Sequence, residues 1–308
     1  MVHGTNFTVP PTRGAARVLT VHDLTPVRFP ELCDPASLAY PAQIRAALSA
    51  GAWIHTPSTY VAQEVIEAFG ADPARVRAVA SGTPGPLERL ARSESRSSAP
   101  AVLPTPVVPT PALPTSVLAA SELPNGVDRY VLAVGTAEPR KDLPGLVGAF
   151  DRLAGGHPEL ALVLAGPDGW GTAALDSAVA QAIHRNRIVR TGWVDDRILD
   201  GLLAGAALLA YPSVYEGFGF PPLQAMAAGV PVVATRAGAL PEVLGDAALL
   251  VPVGQPDVLA DALARVLDDP VVAASLVAKG RLRAAGFTWD RCAQGLVELY
   301  RDAVAERR

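Results

Sequence analysis

The segment GTAEPRKD, residues 135 to 142, sets Arg140 beside Lys141 a few positions after the apolar run YVLAV. A guanidinium fork and an ammonium point charge in one loop can together hold a diphosphate, and Gly135 lets the backbone come close to such a ligand. A second segment, YPSVYEGFGFPPLQAMAAGVPVV, spans residues 211 to 233. Its Gly217 and Gly219 bare backbone amides ahead of a helix entered through Pro221 and Pro222, where the N–H that proline lacks would be unpaired anyway. Amide donors at a positive helix end suit a phosphorylated, polyhydroxylated ligand, with the Glu216 carboxylate offered to sugar hydroxyls. Each segment taken alone also has a plain structural explanation. Two adjacent cations are commonly solvated surface charges beside a helix cap, here Asp142, and a Gly-Pro-rich turn can simply join a strand to a helix.

These residues need elements that bring them to one place. From Tyr130 onward the apolar runs YVLAVG, LALVLAG, RIVRTG, AALLAYP, VPVVAT and AALLVP alternate with amphipathic stretches. Short buried strands between helices predict a parallel sheet of βαβ units, with helices over 142–153, 172–184, 196–203, 221–228 and 256–267. Ligands of such sheets bind beyond the carboxyl ends of the strands, which is where the Arg140-Lys141 loop falls. Upstream, RVLTVHD, AWIHTPS and RVRAVA read as strands, with helices near 41–49 and 60–69, about half a domain by strand count. Residues 91–125 are rich in Pro, Ser and Ala without helical or strand periodicity and read as a semi-rigid linker. The expected organisation is a partial N-terminal Rossmann-like domain over 1–90, that linker, a C-terminal Rossmann-like domain over 126–285 and a final helix over 286–308.

Composition narrows the function classes. The chain has 308 residues, enough for two domains, and 50% of them are hydrophobic against 18% charged, the composition of a well-packed soluble enzyme and not of a disordered or fibrous chain. A net charge of -4 and the lack of a Lys/Arg-rich stripe argue against a nucleic-acid partner. Cys33 and Cys292 are far apart and no histidines cluster, so neither a disulfide framework nor a zinc site is suggested, and a reducing, cytoplasmic setting fits. No apolar run reaches the ~18 residues of a membrane span, and the N-terminus lacks the pattern of an export signal.

In this order, GTAEPRKDLPGLVGAF, AGPDGWG, GWVDD, YPSVYEGFGFPPLQAMAAGVPVVAT and AGALPEVLGDAALLVP resemble the GT4-type retaining glycosyltransferases of GT-B fold, bacterial mannosyltransferase-like members in particular. The resemblance extends from Val2 to Arg301 apart from the linker. It implies two Rossmann-like domains facing across a cleft. The C-terminal one would hold a nucleotide-diphosphate sugar donor and the N-terminal one a carbohydrate or lipid-linked acceptor, with the last helix packing back on the N-terminal domain. Arg140 and Lys141 would neutralise the leaving diphosphate, so that no metal or other cofactor is expected. Glu216 would contact the transferred sugar together with the amides of Gly217, Phe218 and Gly219. In TVHDLTPVRFPE the resemblance places His22 near the donor sugar, with Asp23 orienting the loop or capping the next turn, and His3 is expected to line the same cleft. Gly135 and Val194 complete the donor-binding set, and Trp170 and Trp193 are expected either to border the nucleotide base pocket or to serve as core or rim packing. Ser58 is explained as a helix N-cap alone. A lipid-linked acceptor would be met by peripheral contact at the inner face of the membrane, although no basic amphipathic helix is evident.

The sequence departs from the family's pattern twice. The Glu-x7-Glu motif starts at Glu216, but its second acid, at position 224, is Gln224. A neutral amide still accepts a hydrogen bond from ribose at roughly half the strength of a charge-assisted one, so weaker donor binding is expected. Ahead of the HGTN segment at His3, roughly 80 to 90 residues of the family's pattern are expected to be missing, judged by the ~30 residues of a βαβ unit, which would leave the N-terminal sheet with an unpaired edge and an uncovered apolar face. Two functions stand as alternatives. One is retaining transfer of a hexose, with mannose as the family-level candidate; the other is a truncated or catalytically impaired homologue that only binds nucleotide sugar. A sugar-nucleotide epimerase would need a different carboxylate and histidine pattern.

Overall fold

Strand-forming runs in the first 83 residues are short, and in a computed structural model, which describes residues 1–83 and 127–306, they form one parallel sheet. Its strands are β1 (Val2–Gly4), β2 (Arg17–Thr20), β3 (Trp53–Thr56) and β4 (Val76–Ala78), in that spatial order. Helices α1 (Thr25–Arg28), α2 (Tyr40–Ser49) and α3 (Thr59–Phe69) lie between them in sequence. β1 is absent from the sequence reading. Three residues with a histidine at the centre show no alternation, and only their parallel pairing with Arg17, Val18 and Leu19 makes the segment a strand. The expected linker at 91–125 lies outside the described residues.

The second sheet has six parallel strands, β5 (Arg129–Val134), β6 (Leu160–Ala165), β7 (Ile188–Gly192), β8 (Leu208–Tyr211), β9 (Val232–Thr235) and β10 (Leu249–Val251). The helices between and after them are α4 (Leu143–Ala154), α5 (Thr172–Gln181), α6 (Asp196–Gly205), α7 (Phe220–Ala228), α8 (Leu240–Leu244), α9 (Pro256–Asp268), α10 (Pro270–Ala284) and α11 (Trp289–Ala305). All six strands are those expected from the apolar runs. The helix expected to reach residue 184 stops at Gln181 instead, because the Asp151 carboxylate accepts the amides of Ile183 and His184 and draws them out of the helix.

Neighbouring β5 residues enter opposite cores, as a strand buried on both faces requires. Val131 and Ala133 pack with Leu146 and Phe150 of α4 and Leu263 of α9, while Leu132 packs with Leu223 and Met226 of α7 and Leu240 of α8. The spatial order is β10-β9-β8-β5-β6-β7. The chain runs outward from β5 through β6 and β7, then returns to lay β8 on the other side of β5. That reversal opens a crevice at the carboxyl ends of β5 and β8, the place where such sheets take ligands.

The N-terminal sheet, expected to leave an apolar face uncovered, is instead covered on both faces, by two parts of the sequence. Leu19 and Ile54 pack on Ile44, Val61 and Val65 of α2 and α3. The opposite face, Val18 and Trp53, packs on Leu299 and Ala303 of α11. Polar contacts reinforce this docking: Trp53 Nε1 donates to Glu306 Oε2 at 2.8 Å, and Arg77 pairs with Asp302 at 3.3 Å. His3, expected to line the cleft, is taken up here. Its Nδ1 lies 2.7 Å from the Tyr300 hydroxyl and its Nε2 2.8 Å from Thr20 Oγ1, because β1 presents it to α11. Thr20 Oγ1 continues to His55 Nδ1 at 2.9 Å, so the docking surface contains a chain of two imidazoles and two hydroxyls.

Candidate functional site

Arg140 and Lys141 end a 3-10 turn, Pro139–Lys141, that follows β5. Asp142 then reverses the backbone at φ 44° and caps α4 by accepting the Gly145 amide at 3.1 Å. A non-glycine residue in this left-handed region is uncommon, and here it turns the chain between the two cations and the helix. Glu216 comes from the loop between β8 and α7 on the other side of the crevice. The two loops meet there: Lys141 Nζ is 2.7 Å from Glu216 Oε1, and Arg140 Nη1 is 2.9 Å from Glu216 Oε2. Ser213 Oγ donates to Glu216 Oε1 at 2.7 Å, and Lys141 Nζ also donates to the Tyr211 hydroxyl at 2.8 Å. Gly135, at φ 154°, lies under the Lys141 stem, where a Cβ would sit 3.4 Å from Lys141 Cε.

The cluster is nearly dry, and its charges depend on one another. Burial works to raise the Glu216 carboxyl, but Lys141 and Arg140, with hydrogen bonds from Lys141 and Ser213, hold it down at about 2. Burial works to lower both cations, and Tyr211 and Glu216 for Lys141, Glu216 and Asp23 for Arg140, hold them above their ordinary values. Burial pushes the Tyr211 phenol up to about 12. Two fixed cations therefore surround one fixed carboxylate, and an anionic group entering from the crevice would share them with it. Glu138 adds a second acid, 3.2 Å from Arg140 Nη2.

The loop carrying Glu216 is stitched to the N-terminal sheet. Gly217 lies against the His22 carbonyl, so closely that a Cβ would fall 2.0 Å from that oxygen. Ser58 caps α3 by accepting the Val61 amide and also donates to the Gly217 carbonyl at 2.8 Å. Glu242 of α8 reaches across to the start of the same helix, accepting the Thr59 and Tyr60 amides at 2.8 and 2.7 Å. The positive end of α3 is thus satisfied by a carboxylate from the other half of the molecule. His22 is brought to the seam by its backbone, while its exposed imidazole is engaged by the Thr5 carbonyl at 2.8 Å. Asp23 accepts the Thr25 amide and hydroxyl, which makes it the cap of the next turn.

The remaining candidates stay on their own elements. Phe218 is core, edge-on to Phe220 and Phe287, so only its backbone can face a ligand. Gly219 precedes α7 at φ 106°, and Gln224 lies half-buried in the second turn of that helix. Val194 packs against the apolar cluster that includes Leu132 and Leu209. Trp193 is 73% exposed. Trp170 instead bridges the halves, its Nε1 donating to the Leu32 carbonyl at 2.9 Å. It borders a cavity of about 200 Å³ between the two halves that Asp23, Ser37, Tyr40, Glu138 and Arg140 also line. Sequence reasoning missed Ser213, Tyr211, Glu242 and the second bond of Ser58. Each partner is supplied by another element, and no local spacing reports it. Among the described residues no group of His, Cys, Asp and Glu is placed to hold a metal ion, and no helix is long and apolar enough to cross a membrane.

Residues 117–283 match the family described as glycosyl transferases group 1. The O-antigen chain mannosyltransferase B of Escherichia coli is 30% identical over 301 residues, covering 97% of this chain and 73% of that protein. For other curated relatives the match spans 28% to 62% of their length. Among solved structures, sucrose-phosphate synthase from Thermosynechococcus elongatus superposes with a TM-score of 0.71 at 24% identity, covering 94% of this chain and 68% of that one. Anabaena HepE in complex with UDP-glucose gives 0.67 at 19%, covering 92% and 72%. The expected fold, two Rossmann-like halves in the GT-B arrangement, is the one observed. With its family pattern matched over more than half its length and a 30%-identical relative along nearly all of it, the chain belongs to the glycosyl transferases group 1 family.

Proposed function

We propose that the chain transfers a hexose from a nucleotide-diphosphate sugar to a carbohydrate or lipid-linked acceptor with retention of anomeric configuration. The observation that carries this reading is the meeting of Arg140, Lys141 and Glu216 at the switch point between β5 and β8. Charge develops on the diphosphate as the glycosidic bond breaks, and two cations already fixed in a dry site stabilise it without reorganisation. They fill the role a metal would otherwise take. Glu216, Gly135, the amides of Gly217, Phe218 and Gly219, and Gln224 and Val194 complete the donor side, and His22 faces it from the N-terminal half. For retention, the leaving phosphate stays on the face from which the acceptor attacks and takes its proton.

The UDP-glucose complex of HepE supports a nucleotide-sugar donor, and the name of the E. coli relative supports mannose. The experiment is a donor panel, GDP-mannose and UDP-glucose first, with and without chelator. It follows release of nucleoside diphosphate and, by proton NMR, the anomeric configuration of the product. Gln224 in place of the family's acid favours a second reading, a protein that only binds nucleotide sugar. Tight nucleoside diphosphate binding without turnover on any acceptor would select it, and no binding at all would sink both. A cytoplasmic protein acting at the inner membrane face is the matching location, to be checked by co-sedimentation with anionic vesicles.

A further inference from the structure

Beside Glu216, Tyr215 leaves the crevice and enters the N-terminal half. Its hydroxyl donates to Glu64 of α3 and accepts the Leu24 amide at 3.0 Å, and its ring lies 5.6 Å from that of Phe29 and 6.3 Å from that of Tyr60. Tyr215 is 2% exposed and Glu64 4%. The other Glu64 oxygen takes Arg28 Nε at 2.8 Å, so the carboxylate is divided between a cation and the phenol. On the site's side, the Tyr215 carbonyl accepts Arg140 Nη1 at 3.0 Å, the nitrogen that also faces Glu216. One residue therefore holds the N-terminal half by its hydroxyl and a donor-site cation by its carbonyl.

Packing alone does not call for these groups. A phenylalanine would fill the same socket, whereas burying a hydroxyl against a carboxylate is costly unless the bond is aligned. A hydrogen bond weakens steeply with angle, while apolar contact tolerates sliding, so this pair fixes the relative placement of the halves more narrowly than ring packing would. Burial and Glu64 push the Tyr215 phenol well up, and the hydroxyl keeps its proton.

We propose that Tyr215 is a positioning residue, whose bond to Glu64 sets the two halves against each other and, through Arg140, orients the charges of the donor site. The inference rests on the nucleotide-sugar reading of that site. Tyr215→Phe removes the hydroxyl and keeps the ring; Glu64→Leu removes the acceptor, and Glu64→Gln restores an acceptor oxygen.

The expected result for Tyr215→Phe is a fall of tenfold or more in kcat for donor turnover, the scale of a hydrogen bond to a charged group, with donor KM within about threefold. Glu64→Leu should match it, the double variant should be no worse than either, and Glu64→Gln should recover most of the loss. Amide exchange at Leu24 should quicken about tenfold in Glu64→Leu, in which its acceptor, the Tyr215 hydroxyl, is still present. Unchanged kcat, effects that multiply in the double variant, or equal losses in all three variants that follow stability alone would overturn the proposal. If no nucleotide sugar binds or turns over, the functional reading fails, and Leu24 exchange then judges the contact by itself. Faster exchange in Glu64→Leu, which keeps the hydroxyl that accepts the Leu24 amide, upholds it as what sets the halves, and unchanged exchange removes it.

Discussion

Lys141 Nζ and Glu216 Oε1 lie 2.7 Å apart, although 75 residues separate them in the chain. With side-chain exposures of 13% and 8%, this is a buried ion pair, and removing one partner of such a pair typically costs about 3 kcal/mol or more. Because Arg140 still faces the carboxylate, Lys141→Met is expected at the low end, about 2–3 kcal/mol, measured by urea denaturation. Its nucleoside diphosphate affinity is expected to fall at least tenfold by calorimetric titration. Unaltered affinity would remove Lys141 from the donor site.

Acid should destabilise the protein in two stages. Burial lowers the His55 imidazole from 6.5 to about 4, with His3 and His22 adding to the effect against a bond to the Val79 carbonyl. Between those values the unfolded chain binds a proton that the native state refuses. Stability is therefore full above about pH 6.5 and declines toward pH 4, by about 3 kcal/mol at most for this one group. Glu216, held at about 2 against 4.5, contributes stability that is present above about pH 4.5 and lost as pH falls toward 2. Urea midpoints at pH 7, 5.5 and 4.5 read the first stage. His55→Gln should flatten it, and an unchanged slope in that variant would assign the loss elsewhere.

A methyl group at Gly217 has nowhere to go, since the His22 carbonyl would lie 2.0 Å from it. Gly217→Ala must push the halves apart or distort the loop that carries Glu216. Overpacking of this kind costs about 1–3 kcal/mol. Turnover is expected to fall at least tenfold while far-UV circular dichroism stays that of the parent. Full activity in this variant would show that the seam is free to widen during the reaction.

Gln224→Glu restores a charged acceptor half-buried on α7. Donor affinity is expected to rise several-fold, as charge-assisted hydrogen bonds are about twice as strong as neutral ones. Titration with the nucleotide sugar identified in the donor panel checks it, and equal affinity would take position 224 out of the donor site.

Much of the C-terminal half was legible in the sequence because its strands are buried on both faces and read as unbroken apolar runs. The loops after YVLAV and LLAY could be assigned to ligand binding because both follow strand ends, and the structure brings Arg140, Lys141 and Glu216 to one point. Hidden from the sequence was how the Glu216 carboxylate is held. Its pairing with the cations depends on β8 returning beside β5, a fact of topology and not of spacing. Contacts across the seam were hidden for the same reason: Tyr215 meets Glu64 across 151 residues, and Glu242 meets Thr59 across 183. Ser58 was correctly explained as a cap, yet the same hydroxyl donates to the Gly217 carbonyl. Local chemistry could account for its accepting lone pair and not for its proton.

The docking of α11 on the first sheet has a consequence for synthesis. Val18 and Trp53 are synthesised well before Leu299 and Ala303, which cover them. More than 200 residues separate Ala78, the end of the sheet, from Trp289, where the covering helix begins. At ~5–20 residues per second that interval is roughly 10–40 s, during which the sheet has one apolar face open. The first sheet reaches its native packing only once the covering helix has been made and can dock on it.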